Sequence, residues 1–308
     1  MTRSNLSRRS MLRTAATTAA LLALPLARTA RAAAFAKATD GTKLYFEVRG
    51  TGVPIVFLHE VPGSCRSFDV QVAALEAQFQ CIACNARGYP PSDVPPSVDA
   101  YSEEISVTDL GAILDAANLR DAHLVGVSMG SSSALHFALR DPSRVRSLIL
   151  CAIGSGSDLT SDQYAANMEA AAQKIEASNQ QTLAATLGSF RQHINQRNPT
   201  AFRTFLEVAS TLSPLGLANT LRGNQKRRKP IYAHRDRLAA MATPTLIVVG
   251  EEDTPCIKPS RFLHETIPGA RLETLPRAGH SINLEEPETI NRLVNEFASS
   301  IDARRNRR

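Results

Sequence analysis

The stretch from Gly126 to Gly130 reads Gly-Val-Ser-Met-Gly and places a serine between two glycines. The apolar run "HLVGV" comes directly before the serine, and the helix-like segment "MGSSSALHFAL" follows it. A serine on such a tight strand-to-helix turn is exposed at the end of the strand, beside the N–H groups that open the helix. G-x-S-x-G alone is a weak pattern, but in this context it makes Ser128 a candidate nucleophile.

A serine hydroxyl needs a base to remove its proton, and an imidazole is the usual base. His280, in "PRAGHSINLEEP", lies in a loop between the last strand-like run and the last helical segment. His59, in "LHEVPGS", is the competing histidine. A carboxylate at the end of another strand should hold the imidazole. The first choice is Asp253 in "LIVVGEEDTPC", with these alternatives: Glu251, Glu252 and Asp158.

The His59–Glu60 pair could also suggest metal chemistry. A zinc-protease helix needs a second histidine four residues after the first, and "HEVPG" has none. Cys81-x-x-Cys84 lies in the strand-like run "CIACNA", where residues three apart point to opposite faces, so we interpret both cysteines as core residues. The sequence has neither a glycine-rich dinucleotide fingerprint nor a P-loop. We therefore expect no metal and no cofactor.

Short apolar runs that alternate with amphipathic segments must position these side chains. This alternation is typical of a parallel sheet covered by helices on both faces, so the predicted class is α/β. "KLYFEVRG" alternates like an antiparallel edge strand. The predicted buried strands are 54–59, 81–86, 122–128, 146–152, 245–251 and 271–276, and the predicted helices are 67–79, 102–119, 129–141 and 287–301.

The alternation stops between residues 157 and 241. This segment is polar and rich in Ala and Gln, with helical periodicity and no strand-like run. We interpret it as a helical cap inserted into one domain that spans residues 33–308.

Residues 1–32 do not resemble folded structure. "SNLSRRSMLRT" carries paired arginines, a short apolar stretch follows, and "ARA" at 30–32 offers small residues to a peptidase. The segment resembles a twin-arginine export signal, which implies contact with that export machinery, cleavage after Ala32 or Ala34 and a periplasmic or secreted protein. Its six arginines, with no Asp or Glu, account for the whole formal charge of +6. We therefore expect neither nucleic-acid binding nor stable membrane anchoring of the mature chain.

The order Ser128, Asp253, His280 resembles that of the α/β-hydrolase superfamily, over residues 35–302. The resemblance implies a catalytic triad of these three residues and an oxyanion hole formed by the backbone N–H groups of Val61 and Met129. The family usually has glycine where this chain has Glu60. Glu60 could bind a polar group of the substrate, or it could pair with Arg66 or Arg87; we favour the pairing, since a lone buried carboxylate is costly.

The resemblance is closer to the esterase, lactonase and carbon–carbon bond hydrolase branch. A serine nucleophile and the absence of Trp argue against the haloalkane dehalogenase and epoxide hydrolase branches. We expect hydrolysis of a small-molecule ester or lactone through an acyl-enzyme. The alternatives are a cofactor-free haloperoxidase or perhydrolase, an acyltransferase, a carbon–carbon bond hydrolase and a non-catalytic binding protein.

Overall fold

A computed structural model of the chain describes residues 32–307. Its centre is an eight-stranded sheet in the order β1-β2-β4-β3-β5-β6-β7-β8. The strands β1 and β2 run antiparallel to their neighbours, and all other pairs are parallel. The strands are β1 Ala32–Lys37, β2 Lys43–Arg49, β3 Val53–Leu58, β4 Phe79–Cys84, β5 Ala122–Val127, β6 Val145–Cys151, β7 Thr245–Gly250 and β8 Arg271–Leu275.

Twelve α-helices surround this sheet within the described residues. They are α1 Asp69–Leu75, α2 Glu103–Ala116, α3 Met129–Arg140, α4 Ser161–Glu176, α5 Gln180–Ser189, α6 Gln192–Arg197, α7 Pro199–Ala209, α8 Pro214–Asn219, α9 Arg235–Ala239, α10 Thr254–Thr266, α11 Ile282–Glu285 and α12 Pro287–Arg305. Short 3₁₀ turns span Cys65–Phe68, Val98–Ala100, Pro142–Arg144 and Ile231–His234, and a π-helical turn spans Thr220–Gln225. No helix between residues 32 and 307 combines the length and apolar character needed to cross a bilayer.

Helices cover both faces of the sheet, which explains the continuous apolar strands. Every residue of β5 and of β7 is buried. One face packs against α2, α3, α9 and α10, and the other packs against α1 and α12. The predicted α/β class and the mostly parallel sheet are confirmed.

The edge of the sheet differs from the prediction. β2 is antiparallel, as predicted, but it lies between β1 and β4, so the edge strand is β1. The export-signal interpretation assigned the start of β1 to the leader, and a run of small residues carries little strand signal. Residues 1–31, which hold the paired arginines, lie outside the described part of the chain.

The helices α4 to α9 lie between β6 and β7, within the segment 157–241 that we call the cap. Buried apolar side chains from α4 to α8 form a cluster of their own, which also includes Met129 at the start of α3 and Leu284 in α11. The cap therefore packs directly over the two loops that carry Ser128 and His280.

Candidate active site

Ser128 lies between β5 and α3 in a backbone conformation that few residues adopt. Its φ is 52° and its ψ is −109°, so the side chain projects out of the turn. A Cβ on Gly126 would lie 2.4 Å from Gly130 C, and a Cβ on Gly130 would lie 2.0 Å from the carbonyl oxygen of Leu58. Only glycine allows this contact between β3, β5 and α3, which explains the G-x-S-x-G spacing.

The structure brings Ser128, His280 and Asp253 together. The distance from His280 Nε2 to Ser128 Oγ is 2.9 Å, and the distance from His280 Nδ1 to Asp253 Oδ2 is also 2.9 Å. An ionised carboxylate can only accept, so Nδ1 carries the proton and Nε2 is free to accept the serine proton. This is the arrangement of a serine nucleophile, its base and the acid that orients the base.

Asp253 is more deeply buried than His280, and its pKa depends on both its burial and its bond to the imidazole. The Asp253 side chain is 3% exposed and that of His280 is 22% exposed. Burial acts to raise the pKa of Asp253, but the hydrogen bond and charge of His280 outweigh it and lower that pKa below its ordinary value. Asp253 is therefore a carboxylate, the form needed to stabilise an imidazolium.

The alternative acids have other partners. Glu251 accepts a hydrogen bond from the N–H of Arg277, and Glu252 pairs with His193. Asp158 pairs with Lys258 and accepts a hydrogen bond from Tyr232.

His59 is held as a neutral structural side chain. It is 2% exposed, its Nδ1 lies 2.8 Å from the carbonyl oxygen of Glu60, and its Nε2 accepts from the N–H of Ala86 at 3.1 Å. Its ring also packs edge-on against Tyr89 at 4.5 Å between centroids. Burial lowers the pKa of His59 to about 4, so the ring is uncharged at neutral pH.

Glu60 does not form the ion pair that we favoured from the sequence. Arg66 pairs with Asp69, and Arg87 pairs with the carboxylates of Asp40 and Asp109. Arg66 has its partner three residues away, whereas the partners of Arg87 lie in the turn after β1 and in α2, which only the folded chain brings to Arg87.

Glu60 is instead enclosed by its own turn. The residue is fully buried, its Oε1 accepts from Ser67 Oγ at 3.3 Å, and its carboxyl group packs where a side chain on Gly63 would otherwise fit. Among the described residues, its Oε2 has no hydrogen-bond partner. Burial raises its pKa, opposed by the charges of Arg191 and His280.

The two residues expected to form an oxyanion hole follow the neighbouring strands β3 and β5. Met129 is the first residue of α3, so its N–H has no acceptor within the helix. Val61 lies in the turn after β3, and Arg191 of the cap donates a hydrogen bond from Nη2 to the Val61 carbonyl oxygen at 2.7 Å. Sequence reasoning missed Arg191, because only the folded cap brings it to this turn.

Within residues 32–307, two side-chain clusters have the spacing of metal ligands, because each brings three ligand atoms within 4.8 Å of one another. In Glu103–His136–His234, hydrogen bonding links Glu103 to His136 Nδ1 at 3.0 Å and the two imidazole Nε2 atoms at 3.3 Å. In Asp253–Cys256–His280, both nitrogens of His280 already have partners. We assign no metal to either cluster.

All five cysteines are buried, including Cys81 and Cys84, and no disulfide joins any of them in the part of the chain that the structure describes. Burial raises the pKa of both thiols to about 12, which opposes thiolate formation.

The chain is similar to several known enzymes in sequence and in fold. The 3-oxoadipate enol-lactonase 1 of Acinetobacter baylyi is 28% identical over 267 residues, covering 85% of this chain and 95% of that protein. A 2-hydroxy-6-oxononadienedioate/2-hydroxy-6-oxononatrienedioate hydrolase of Burkholderia vietnamiensis is 28% identical over 283 residues, covering 84% and 92%. Among solved structures, a thermophilic esterase from Thermogutta terrifontis superposes with a TM-score of 0.76 at 25% identity, covering 88% and 99%. The family model for the alpha/beta hydrolase fold matches residues 53–287, and this chain belongs to the α/β-hydrolase family.

Proposed function

We propose that this protein is a serine hydrolase that cleaves a carboxylic ester or a lactone through an acyl-enzyme on Ser128. The observation that carries the proposal is the continuous hydrogen bonding from Ser128 Oγ to His280 and on to Asp253. The enol-lactonase and esterase among the similar proteins support the same substrate class. The substrate is a small molecule, and the reaction uses no cofactor.

The first half of the reaction forms the acyl-enzyme. His280 Nε2 removes the Ser128 proton as Oγ attacks the carbonyl carbon, and Asp253 stabilises the imidazolium. The N–H groups of Val61 and Met129 receive the oxyanion, and each such donor contributes on the order of 3 kcal/mol to the transition state. The imidazolium then protonates the leaving oxygen as the tetrahedral intermediate collapses.

Water completes the cycle. His280 removes a proton from a water molecule, the hydroxide attacks the acyl carbon, and a second tetrahedral intermediate forms in the same oxyanion hole. Its collapse returns the proton to Ser128 Oγ and releases the acid.

The test is to expose the protein to a fluorophosphonate probe and to a series of p-nitrophenyl esters and lactones. Labelling of the wild type at Ser128, with turnover that Ser128→Ala abolishes while the melting transition remains, supports the proposal. A non-catalytic binding protein would not be labelled.

Reaction products separate the catalytic alternatives. Peracid formation from acetate and peroxide would indicate a perhydrolase, and acyl transfer to an added alcohol in preference to water would indicate an acyltransferase. Cleavage of a vinylogous diketone without ester turnover would indicate a carbon–carbon bond hydrolase.

The proposed leader makes the mature protein periplasmic or secreted. β1 pairs Ala32 with Val48 and Ala34 with Phe46, so cleavage after Ala32 removes one residue of the strand whereas cleavage after Ala34 removes three. This register favours Ala32. N-terminal sequencing of exported protein tests both the export and the site, and a retained leader would contradict them.

A further inference from the structure

Glu285 holds the backbone on both sides of His280. This residue ends α11, and its side chain is 1% exposed. Its Oε1 accepts from the N–H of Ser281 at 3.1 Å, and its Oε2 accepts from the N–H of Gly279. One buried carboxylate therefore fixes the residues before and after the imidazole.

His193, in the cap helix α6, contacts the same carboxylate. Its Nδ1 lies 2.9 Å from Glu285 Oε2, and its Nε2 lies 2.7 Å from Glu252 Oε2 in the loop after β7. A carboxylate can only accept, so both contacts are hydrogen bonds only when both ring nitrogens carry a proton. The ring also lies against Gly279, where an added Cβ would be 2.8 Å from Nδ1.

We propose that Glu285 and His193 are positioning residues that tie the cap to the loop carrying His280. Through this tie, the position of the cap sets the direction of His280 Nε2 toward Ser128. This role rests on the proposed function, because it concerns the general base of that reaction. Neither residue touches the reacting atoms, and both act through the backbone of Gly279 and Ser281.

The local charges make this tie dependent on pH. Charged groups on the elements packed around His193 come from the cap, the loop after β7 and the α11–α12 region: Arg191, Arg197, Glu252, Asp253, Glu285 and Glu286. Burial acts to lower the pKa of His193, but the hydrogen bond to Glu252 and the charge of Glu285 outweigh it and raise that pKa.

A raised pKa in the folded state means that the imidazolium stabilises the tie at low pH. The stabilisation is lost as the pH rises through the raised value. Above it, His193 keeps one N–H, and a ring lone pair faces one of the two carboxylates.

The test compares the second-order rate of Ser128 labelling by a fluorophosphonate in four proteins over a range of pH. These are the wild type, Glu285→Gln, His193→Ala and the control Glu286→Gln. The control removes a neighbouring ion pair between Arg197 of the cap and Glu286, the residue before α12, and leaves the bonds of Glu285 to Gly279 and Ser281 in place. Thermal melting of each protein reports whether it is folded.

We expect Glu285→Gln to label about 100-fold more slowly, since an amide NH2 group replaces one of the two carboxylate oxygens that accept the N–H groups, and a misplacement of about 1 Å has this effect on rate. We expect His193→Ala to label about tenfold more slowly at low pH, a typical coupling between linked elements, and to approach the wild-type rate as the pH rises. Glu286→Gln should label at about the wild-type rate.

Equal rates for wild type and His193→Ala at every pH would overturn the proposal, and so would equal losses in His193→Ala and Glu286→Gln. If Glu285→Gln does not fold, the pH dependence of His193→Ala decides alone. Absence of labelling in the wild type is a different result: it refutes the serine mechanism and this role with it.

Discussion

Gly130→Ala should damage both stability and activity, although it adds a single methyl group to a helix. The new Cβ would lie 2.0 Å from the carbonyl oxygen and 2.4 Å from the carbonyl carbon of Leu58. Van der Waals contact needs about 3.5 Å, so α3 must move away from β3 by more than about 1 Å. Such overpacking typically costs about 1–3 kcal/mol of unfolding free energy.

The same displacement carries the active site with it. Ser128 and the N–H of Met129 precede Gly130 directly, so a shift of α3 moves both the nucleophile and one proposed oxyanion donor. A misplacement of about 1 Å reduces the rate of a positioned reaction on the order of 100-fold. We expect that loss in kcat/KM for a p-nitrophenyl ester and in the rate of fluorophosphonate labelling.

Gly111→Ala is the matched control. Gly111 lies within α2, where an added Cβ would be 3.7 Å from Phe137 Cε2 and 3.7 Å from Arg140 Nη2, both ordinary contacts. Replacing glycine by alanine in a helix interior stabilises by about 1 kcal/mol. Gly111→Ala should therefore unfold at higher urea concentration with unchanged turnover. A Gly130→Ala protein with wild-type stability and turnover would refute the steric account of the serine turn.

The free energy of unfolding of Ser128→Gly should exceed that of Ser128→Ala by about 1 kcal/mol, because glycine adopts the positive φ of this position without strain and alanine does not. Equal urea midpoints for the two variants would contradict the strain. His59 binds its proton less readily when folded, so its contribution to stability is present above pH 6.5 and is lost as the pH falls toward 4. The difference in unfolding free energy between wild type and His59→Asn should therefore shrink by about 3 kcal/mol over that range, and a constant difference in urea titrations would count against it. Arg87→Met should lower the free energy of unfolding by about 3–5 kcal/mol, because it leaves the buried carboxylate of Asp109 unpaired. The double variant Arg87→Met/Asp109→Leu should recover part of that loss. Equal losses for the single and the double variant in urea unfolding would show that the pair is not coupled.

The sequence was sufficient for the interior of the sheet, because the strands there are covered on both faces, but not for the edge strand β1. Each predicted strand appears within one or two residues of its predicted ends. For the interior strands the reason is that a continuous apolar run has no other place to pack, whereas β8 lies at the edge and is only partly buried. The three residues proposed as a triad could also be found, because each follows a strand whose carboxyl end lies at the same edge of the sheet.

The contacts that the cap makes with the site could not be predicted. His193 and Arg191 lie in a polar helical segment, and nothing in its periodicity indicates that they face the loops around His280 and Val61. Glu285 was visible in "GHSINLEE", but its role depends on a backbone that folds around its carboxylate. Long-range pairing of charged side chains is set by the placement of loops, which local sequence patterns do not encode.

The two edges of the sheet differ in how they resist self-association. β8 carries Arg271 and Glu273, whose charges oppose pairing with another strand. β1 reads "AAAFAK": it has one lysine, and its Phe35 is 52% exposed and packs edge-on against Tyr45. An edge with unpaired backbone groups, small side chains and an exposed aromatic ring is a template for another strand. Aggregation during refolding or storage is therefore expected to start at β1, and a charge introduced there should improve solubility without affecting the active site, which lies at the carboxyl ends of the interior strands.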